Sequence, residues 1–149
     1  MSTDSSTESN LGIYSELTAA ILQRVVSGGL KRQTLSSEDV YKELPHLAST
    51  LEAFDEMFVD TLMWLRDERY VRFLHFNGGT RDETCAQDLV PTALCLAAMD
   101  VRIDALEGKT AGQVLAANTK GEVSAGSYIK AGSFLGGMFG GVIKSLGGG

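Results

Sequence analysis

The spacing of apolar residues predicts three helices in the first half of the chain. The first covers residues 10–27 and ends at two glycines, which favour helix termination. The second is short and begins at a capping signal, Ser36 to Asp39; the third begins at a similar signal, Ser49 to Glu52, and runs to about residue 68. The positions expected to face the core are Ile13, Leu17, Ala20, Ile21 and Val25 in the first helix, Val40 and Leu44 in the second, and Leu51, Phe54, Phe58, Leu62 and Leu65 in the third.

The hydrophobic period changes after the third helix. Residues 70–76 are rich in aromatic and β-branched types and lead into an Asn-Gly-Gly turn signal, so we expect a β-hairpin whose second strand covers residues 83–89. A further helix is expected from near Pro91 to about Leu106, with apolar residues on two sides. Thr110 to Gln113 then predicts the cap of a short helix that ends near Gly121.

This order of three helices, a hairpin and a helix resembles that of a winged helix-turn-helix domain over residues 11–107. The resemblance also rests on the sharp turn at Pro45-His46 between the second and third helices. It implies an α+β, mainly helical fold, with a winged helix-like three-helix core, a β-hairpin, an extra C-terminal helix and a glycine-rich apolar tail. A plain α+β bundle is the alternative. The predicted organisation is a disordered leader (1–10), the winged helix-like domain (11–107), a short helix and linker (108–122) and the tail (123–149).

Charge is distributed unevenly along the chain, whose net charge is −6. Residues 1–119 carry ten basic and eighteen acidic side chains, a net −8, whereas residues 120–149 carry three lysines and one glutamate, a net +2. An acidic body repels nucleic acid, and a weakly cationic apolar tail suits an acidic partner or an anionic membrane surface. The first ten residues are polar and acidic, which predicts the disordered leader and no secretory signal.

Candidate catalytic and metal-binding residues are few. His46 and His75 are far apart, and neither has a short ligand spacing to Cys85 or Cys95, so the sequence predicts neither a zinc site nor a disulfide framework. A nucleophilic pair of His75 and Cys85 is geometrically possible across the hairpin, but no orienting acid accompanies it. We therefore predict a non-enzymatic protein with no cofactor, metal or small-molecule substrate, in a reducing cytoplasmic setting.

The third helix decides between nucleic acid and protein as partner. Winged helix domains commonly present this helix to the DNA major groove, where phosphate contacts need cations. Here the positions expected on its exposed face are mostly acidic. We therefore expect a protein partner, and a DNA-binding transcriptional regulator is an alternative. The residues predicted for the protein contact are Glu52, Asp55, Glu56 and Asp60.

The C-terminal tail alternates two small residues with two bulky apolar ones from Gly132 onward. Glycine costs roughly 1 kcal/mol relative to alanine in a helix, so we expect the tail to fold only where something covers its apolar side chains. Glycines four residues apart allow close helix packing, which favours a protein partner or self-assembly. A membrane-active, toxin-like effector, peripheral to a membrane, is the alternative. The predicted tail contacts are Phe134, Leu135, Gly136, Gly137, Met138, Phe139, Gly140, Gly141, Val142 and Ile143.

Overall fold

The computed structural model describes residues 2–78, 84–100, 106, 108–118 and 129–132. In chain order these form helix α1 (Ser2–Ser27), strand β1 (Gln33–Ser36), helix α2 (Ser37–Glu43), a 3-10 turn (Pro45–Leu47), helix α3 (Leu51–Asp67), strands β2 (Val71–Arg72), β3 (His75–Gly78) and β4 (Thr84–Pro91), and helices α4 (Ala93–Met99) and α5 (Ala111–Asn118). This part of the chain is mainly helical with a small antiparallel sheet, which confirms the predicted α+β class.

The chain divides into two compact units of contacting residues. One is Ala20–Leu96, which contains the sheet, α2 and α3. The other combines Met1–Ala19 with Ala97–Gly149, and it contains most of α1 together with α5.

Helix α1 covers the predicted 10–27 helix and extends it back to Ser2. The structure therefore differs from the predicted disordered leader, because residues 2–9 contain neither proline nor glycine to stop the helix. At the other end, Gly29 has a φ of 62° and ends the helix as predicted. The side-chain Nε2 of Gln33 donates hydrogen bonds of 3.2 Å to the carbonyl oxygens of both Arg24 and Val25. The Arg24 carbonyl oxygen also accepts from the Gly28 N–H at 3.3 Å, so Gln33 adds a second hydrogen bond there and supplies a donor to the Val25 carbonyl at the end of α1.

The cap predicted at Ser36 is confirmed, and the capping signal predicted from Ser49 to Glu52 is shifted by one residue, because Thr50 is the N-cap. Ser36 Oγ accepts from the Asp39 N–H at 3.2 Å, and Thr50 Oγ1 accepts from the Ala53 N–H at 3.1 Å. The predicted inward positions are also correct: Leu51 is half-buried, and the buried ones are Val40, Leu44, Phe54, Phe58, Leu62 and Leu65.

Helix α3 ends in a Schellman motif that has arginine where glycine is usual. The Tyr70 N–H donates to the Leu65 carbonyl oxygen at 2.8 Å, and the Arg69 N–H donates to that of Arg66 at 2.9 Å. Arg69 has a φ of 66°, in the left-handed region that costs a non-glycine residue about 1–2 kcal/mol. Leu65 and Tyr70 are both buried, as the hydrophobic contact of this motif requires.

Strand β4 lies at the centre of the sheet. Strand β1 pairs with it on one side, and β2 and β3 pair with it on the other, all antiparallel. The predicted hairpin is confirmed in the pairing of β3 with β4, but its first strand is divided into β2 and β3. Gln33 lies opposite Leu89 and Leu35 opposite Ala86, so β4 carries one extra residue, a bulge in which Asp88 has a φ of 56°.

The helix predicted from Pro91 to Leu106 is shorter at its start. Pro91 is the last residue of β4, and α4 begins at Ala93, where Thr92 Oγ1 accepts from the Cys95 N–H at 3.2 Å. The described helix ends at Met99, and residues 101–105 lie outside the described part of the chain. Cys95 and Met99 are buried, whereas Leu94 and Leu96 are exposed.

In the unit formed by Met1–Ala19 and Ala97–Gly149, the cap predicted for α5 is confirmed. Thr110 Oγ1 accepts from the Gln113 N–H at 3.0 Å, and Gln113 Oε1 accepts from the Thr110 N–H at 2.9 Å. This reciprocal pair is a capping box. The buried side chains of this unit include Leu17, Leu106, Ala111, Val114 and Leu115.

Residues 129–132, at the start of the tail, are helical and contact α1. Ala131 is fully buried, and a methyl group at Gly132 would overlap the carbonyl oxygen of Ser15 and lie 3.0 Å from Cβ of Ala19. At Gly132, the covering surface is therefore the chain's own first helix. This differs from the expectation that the tail waits for an external surface. The tail contacts predicted from Phe134 to Ile143 lie outside the described residues.

The close approach of Gly132 to α1 predicts a steric effect of Gly132→Ala. The added methyl group must displace the backbone of Ser15, and overpacking of this kind costs about 1–3 kcal/mol. We expect chemical denaturation to show a lower free energy of unfolding and hydrogen exchange to show weaker protection of the α1 amides. Lys130→Ala, at a neighbouring exposed position, is the control and should change neither. Equal behaviour of the two variants would contradict the contact.

Candidate protein-interaction site

The exposed face of α3 carries a line of acidic residues. Glu52, Glu56, Asp60 and Asp67 are all exposed and lie at helical spacing, and we call these four the acidic stripe. Met63 lies in the same line, between Asp60 and Asp67, and is 40% exposed. Among the described residues, no cation forms an ion pair with any of the four acids. The stripe is therefore a free anionic surface within this part of the protein.

The stripe does not stabilise the helix that carries it. Glu52 and Glu56, and then Glu56 and Asp60, are like charges at the i, i+4 spacing, and each such pair destabilises a helix by about 0.2–0.5 kcal/mol. The two basic residues of segment 37–67 lie elsewhere: Lys42 Nζ is 3.9 Å from a carboxylate oxygen of Glu38, and the Arg66 guanidinium lies over the Phe73 ring, 4.9 Å from its centroid. Eight acids and these two bases give segment 37–67 a net charge of −6.

Asp55, the fourth residue predicted for the acidic contact, has an internal role instead. It is half-buried, and its Oδ1 accepts from Ser37 Oγ at 2.6 Å while its Oδ2 accepts from Thr84 Oγ1 at 2.9 Å. Ser37 Oγ also accepts from the Thr84 N–H at 3.1 Å. This network joins the start of α2, the first turns of α3 and the start of β4. The prediction grouped Asp55 with its neighbours because sequence spacing does not show which helical acids meet donors from other elements.

Loss of the Asp55 carboxylate should therefore destabilise the fold. Asp55→Ala leaves Ser37 and Thr84 without their acceptor, and hydrogen bonds to charged groups contribute about 1.5–3 kcal/mol each. We expect the free energy of unfolding in urea to fall by roughly 2–4 kcal/mol. Asp60→Ala, five residues further along α3 but exposed, should change it by no more than about 0.5 kcal/mol. Similar values for both variants would show that the network does not carry this stability.

A second surface lies on the sheet and contains two arginines. It is a groove of about 530 Å³ lined by Leu30, Arg32, Arg72, Phe73, Leu74 and Val90, and by Asp88 and Pro91. We call it the arginine groove. Leu30 and Leu74 are 77% and 70% exposed, which is unusual for large apolar side chains that lie close together. Neither arginine, nor Asp88, forms an ion pair within the described residues.

The sheet places the two arginines on either side of β4. Arg72 lies directly opposite Val90, and Arg32 directly precedes Gln33, which lies opposite Leu89 from the other neighbouring strand. These residues were not predicted to lie together. The sequence shows only the alternation of side chains along each of three separate strands. The register between these strands depends on a bulge and on β1, a strand that was not predicted.

The described histidines and cysteines are not grouped as metal ligands. His75 lies opposite Gln87 and Cys85 lies opposite Asn77, so this pair is diagonal across the hairpin rather than directly opposed. Within the described residues, no group of three or more histidine, cysteine, aspartate or glutamate residues is placed to hold a metal ion. Cys85 is half-buried and Cys95 is buried, and neither forms a disulfide.

Burial also makes the two thiols chemically different. It raises the pKa of Cys95 from 9.0 to about 12, because the thiolate would lose its hydration. We expect a disulfide reagent such as DTNB at about pH 8 to modify Cys85 first in the folded chain, and both thiols at comparable rates in denaturant. Because the folded pKa is higher, the contribution of Cys95 to stability is complete below pH 9 and is lost as the pH rises towards 12. Equal modification rates in the folded chain would contradict the burial of Cys95.

No family model, no curated protein and no solved structure matches this chain. Among the helices of the described residues, none combines the length and apolar character needed to cross a membrane.

Proposed function

We propose that this chain is a non-enzymatic interaction or regulatory module with a winged helix-like body that binds a protein partner through the acidic stripe. The element order α1, β1, α2, α3, β3, β4 supports the winged helix-like description, as does the position of β4 between β1 and β3. In this description α3 is the helix that would face a bound molecule.

The acidic stripe is the observation that carries the proposal. Its acids repel one another along α3 and, within the described residues, are not paired with cations, so their contribution to stability is unfavourable. Such a surface gains from a partner that brings cations to it, because opposite charges steer association and fix orientation. The partner is therefore a basic protein surface.

The same charges argue against DNA as the partner. Contact with phosphates needs several cations, and counterion release supplies much of the affinity. Segment 37–67, which includes α3, has a net charge of −6. A DNA-binding regulator would have to present another face.

The tail has a separate part in the proposal. We propose that its glycine-rich apolar residues mediate assembly with another protein or with another copy. The described residues 129–132 show the chemistry involved, since a glycine there allows one helical segment to approach another closely. Membrane contact by the tail is the alternative.

A lysine-rich peptide tests the stripe directly. We expect fluorescence anisotropy to show that the peptide binds the full chain, and that binding weakens as salt is raised to about 0.15 M. Glu52→Gln/Glu56→Gln should weaken the binding by about tenfold because it removes two adjacent charges of the stripe. Asp39→Asn/Asp100→Asn removes the same charge from exposed positions outside the stripe and should have much less effect.

Two results would count against the proposal. Equal weakening by both double variants would mean that only the overall charge matters. Tighter binding of duplex DNA than of the peptide would favour the DNA-binding alternative.

A further inference from the structure

We propose that the arginine groove binds the acidic stripe of a second copy of this chain. The inference rests on the proposed function, because it uses the same stripe, and it names the partner. Both surfaces lie in the unit Ala20–Leu96. The stripe carries carboxylates, and the groove carries guanidinium groups.

Charge complementarity is the first argument. Arg32 and Arg72 carry unpaired guanidinium groups within the described structure, and Glu56 and Asp60 carry unpaired carboxylates. Arg72 is in β2 and Arg32 directly precedes β1, and these two strands lie two strand spacings apart across β4, roughly 10 Å. The two acids rise about 6 Å apart along α3. Arginine side chains are long enough to close this difference, and their planar guanidinium groups match carboxylates.

The apolar side chains fit in the same way. Met63 is the large apolar side chain of α3 that is exposed, and it follows Asp60 by about one helical turn. The groove presents Leu30, Phe73 and Leu74 beside its arginines. Methionine is flexible and fills irregular apolar spaces well. A stripe that places its acids on the arginines therefore also brings Met63 to an apolar lining.

The position of the groove next to α3 allows a symmetric dimer. Arg66 of α3 lies over the ring of Phe73, which lines the groove, so the two surfaces adjoin in one copy. Two copies related by a two-fold axis can then place each stripe in the other copy's groove, which makes the contact twice and closes the assembly. Asp88, also in the groove, repels an acid placed beside it and so restricts the register of the contact.

A charge-swap experiment on the full chain tests this. We expect sedimentation velocity to show a concentration-dependent dimer for the unchanged chain. Arg72→Glu and Glu56→Arg should each raise the dimer dissociation constant by about a hundredfold or more, because each places like charges together. Mixing the two variants should restore dimerisation, because one contact in the mixed dimer is then unchanged and the other has its charges exchanged. Arg32→Glu should behave like Arg72→Glu.

The controls change the same charge elsewhere. Lys109→Glu and Asp100→Arg are at exposed positions outside Ala20–Leu96 and should leave the dimer unchanged. Circular dichroism shows whether each variant keeps its helices.

Three outcomes would overturn the inference. They are a chain that stays monomeric, an assembly that no swap affects (as expected if the tail alone drives it), and a mixture that does not regain the dimer. None of these outcomes bears on the lysine-rich peptide. Binding of that peptide to the full chain, and its weaker binding to Glu52→Gln/Glu56→Gln, would still support the proposed function. If the chain instead formed a dimer that the charge swaps disrupt, but did not bind the lysine-rich peptide, the stripe would serve self-association only.

Discussion

The pairing of β4 with three other strands is the constraint on which the sheet-containing unit depends. Each of the other strands has at most four residues, and such short strands need a common partner to form a sheet. The hydrogen bonds of Asp55 and Ser37 to Thr84 attach the start of β4 to both α2 and α3. The position of β4 therefore sets where the helices and the strands meet.

This constraint explains why the two candidate surfaces differ in kind. The acidic stripe depends on the periodicity of one helix, so its geometry is local. The arginine groove depends on residues from β1, β2 and β4 and on the loops beside them, so it exists only when the sheet is formed. A stripe can survive partial unfolding of the sheet, whereas a groove of this type cannot.

The sequence predicted most features that depend on local physics. The caps at Ser36 and Thr110 and the buried positions of α3 follow from side chains close to one another in the chain, and all are confirmed. The cap of α3 lies one residue later than predicted, at Thr50. Long-range features were missed. Strand β1 is short and has no strong alternation, and the division of the first hairpin strand follows from its pairing with β4. The internal role of Asp55 depends on donors that are 18 and 29 residues away.

For the candidate site, the same distinction holds. Three of the four predicted acids, Glu52, Glu56 and Asp60, are exposed on one face as helical spacing requires. Arg32 and Arg72 are 40 residues apart in number, and only the pairing of the strands shows that they lie on either side of β4. The winged helix-like resemblance placed the third helix and the hairpin in order but gave no reason to expect an apolar groove between arginines.

The hydrogen bonds of Gln33 to the last turn of α1 have a consequence for cooperativity. The end of this helix and the beginning of β1 share one set of donors and acceptors, so neither can open without exposing polar groups of the other. A fluctuation that frays the helix terminus is therefore transmitted to an edge of the sheet. The joint between helix and strand opens and closes as one element.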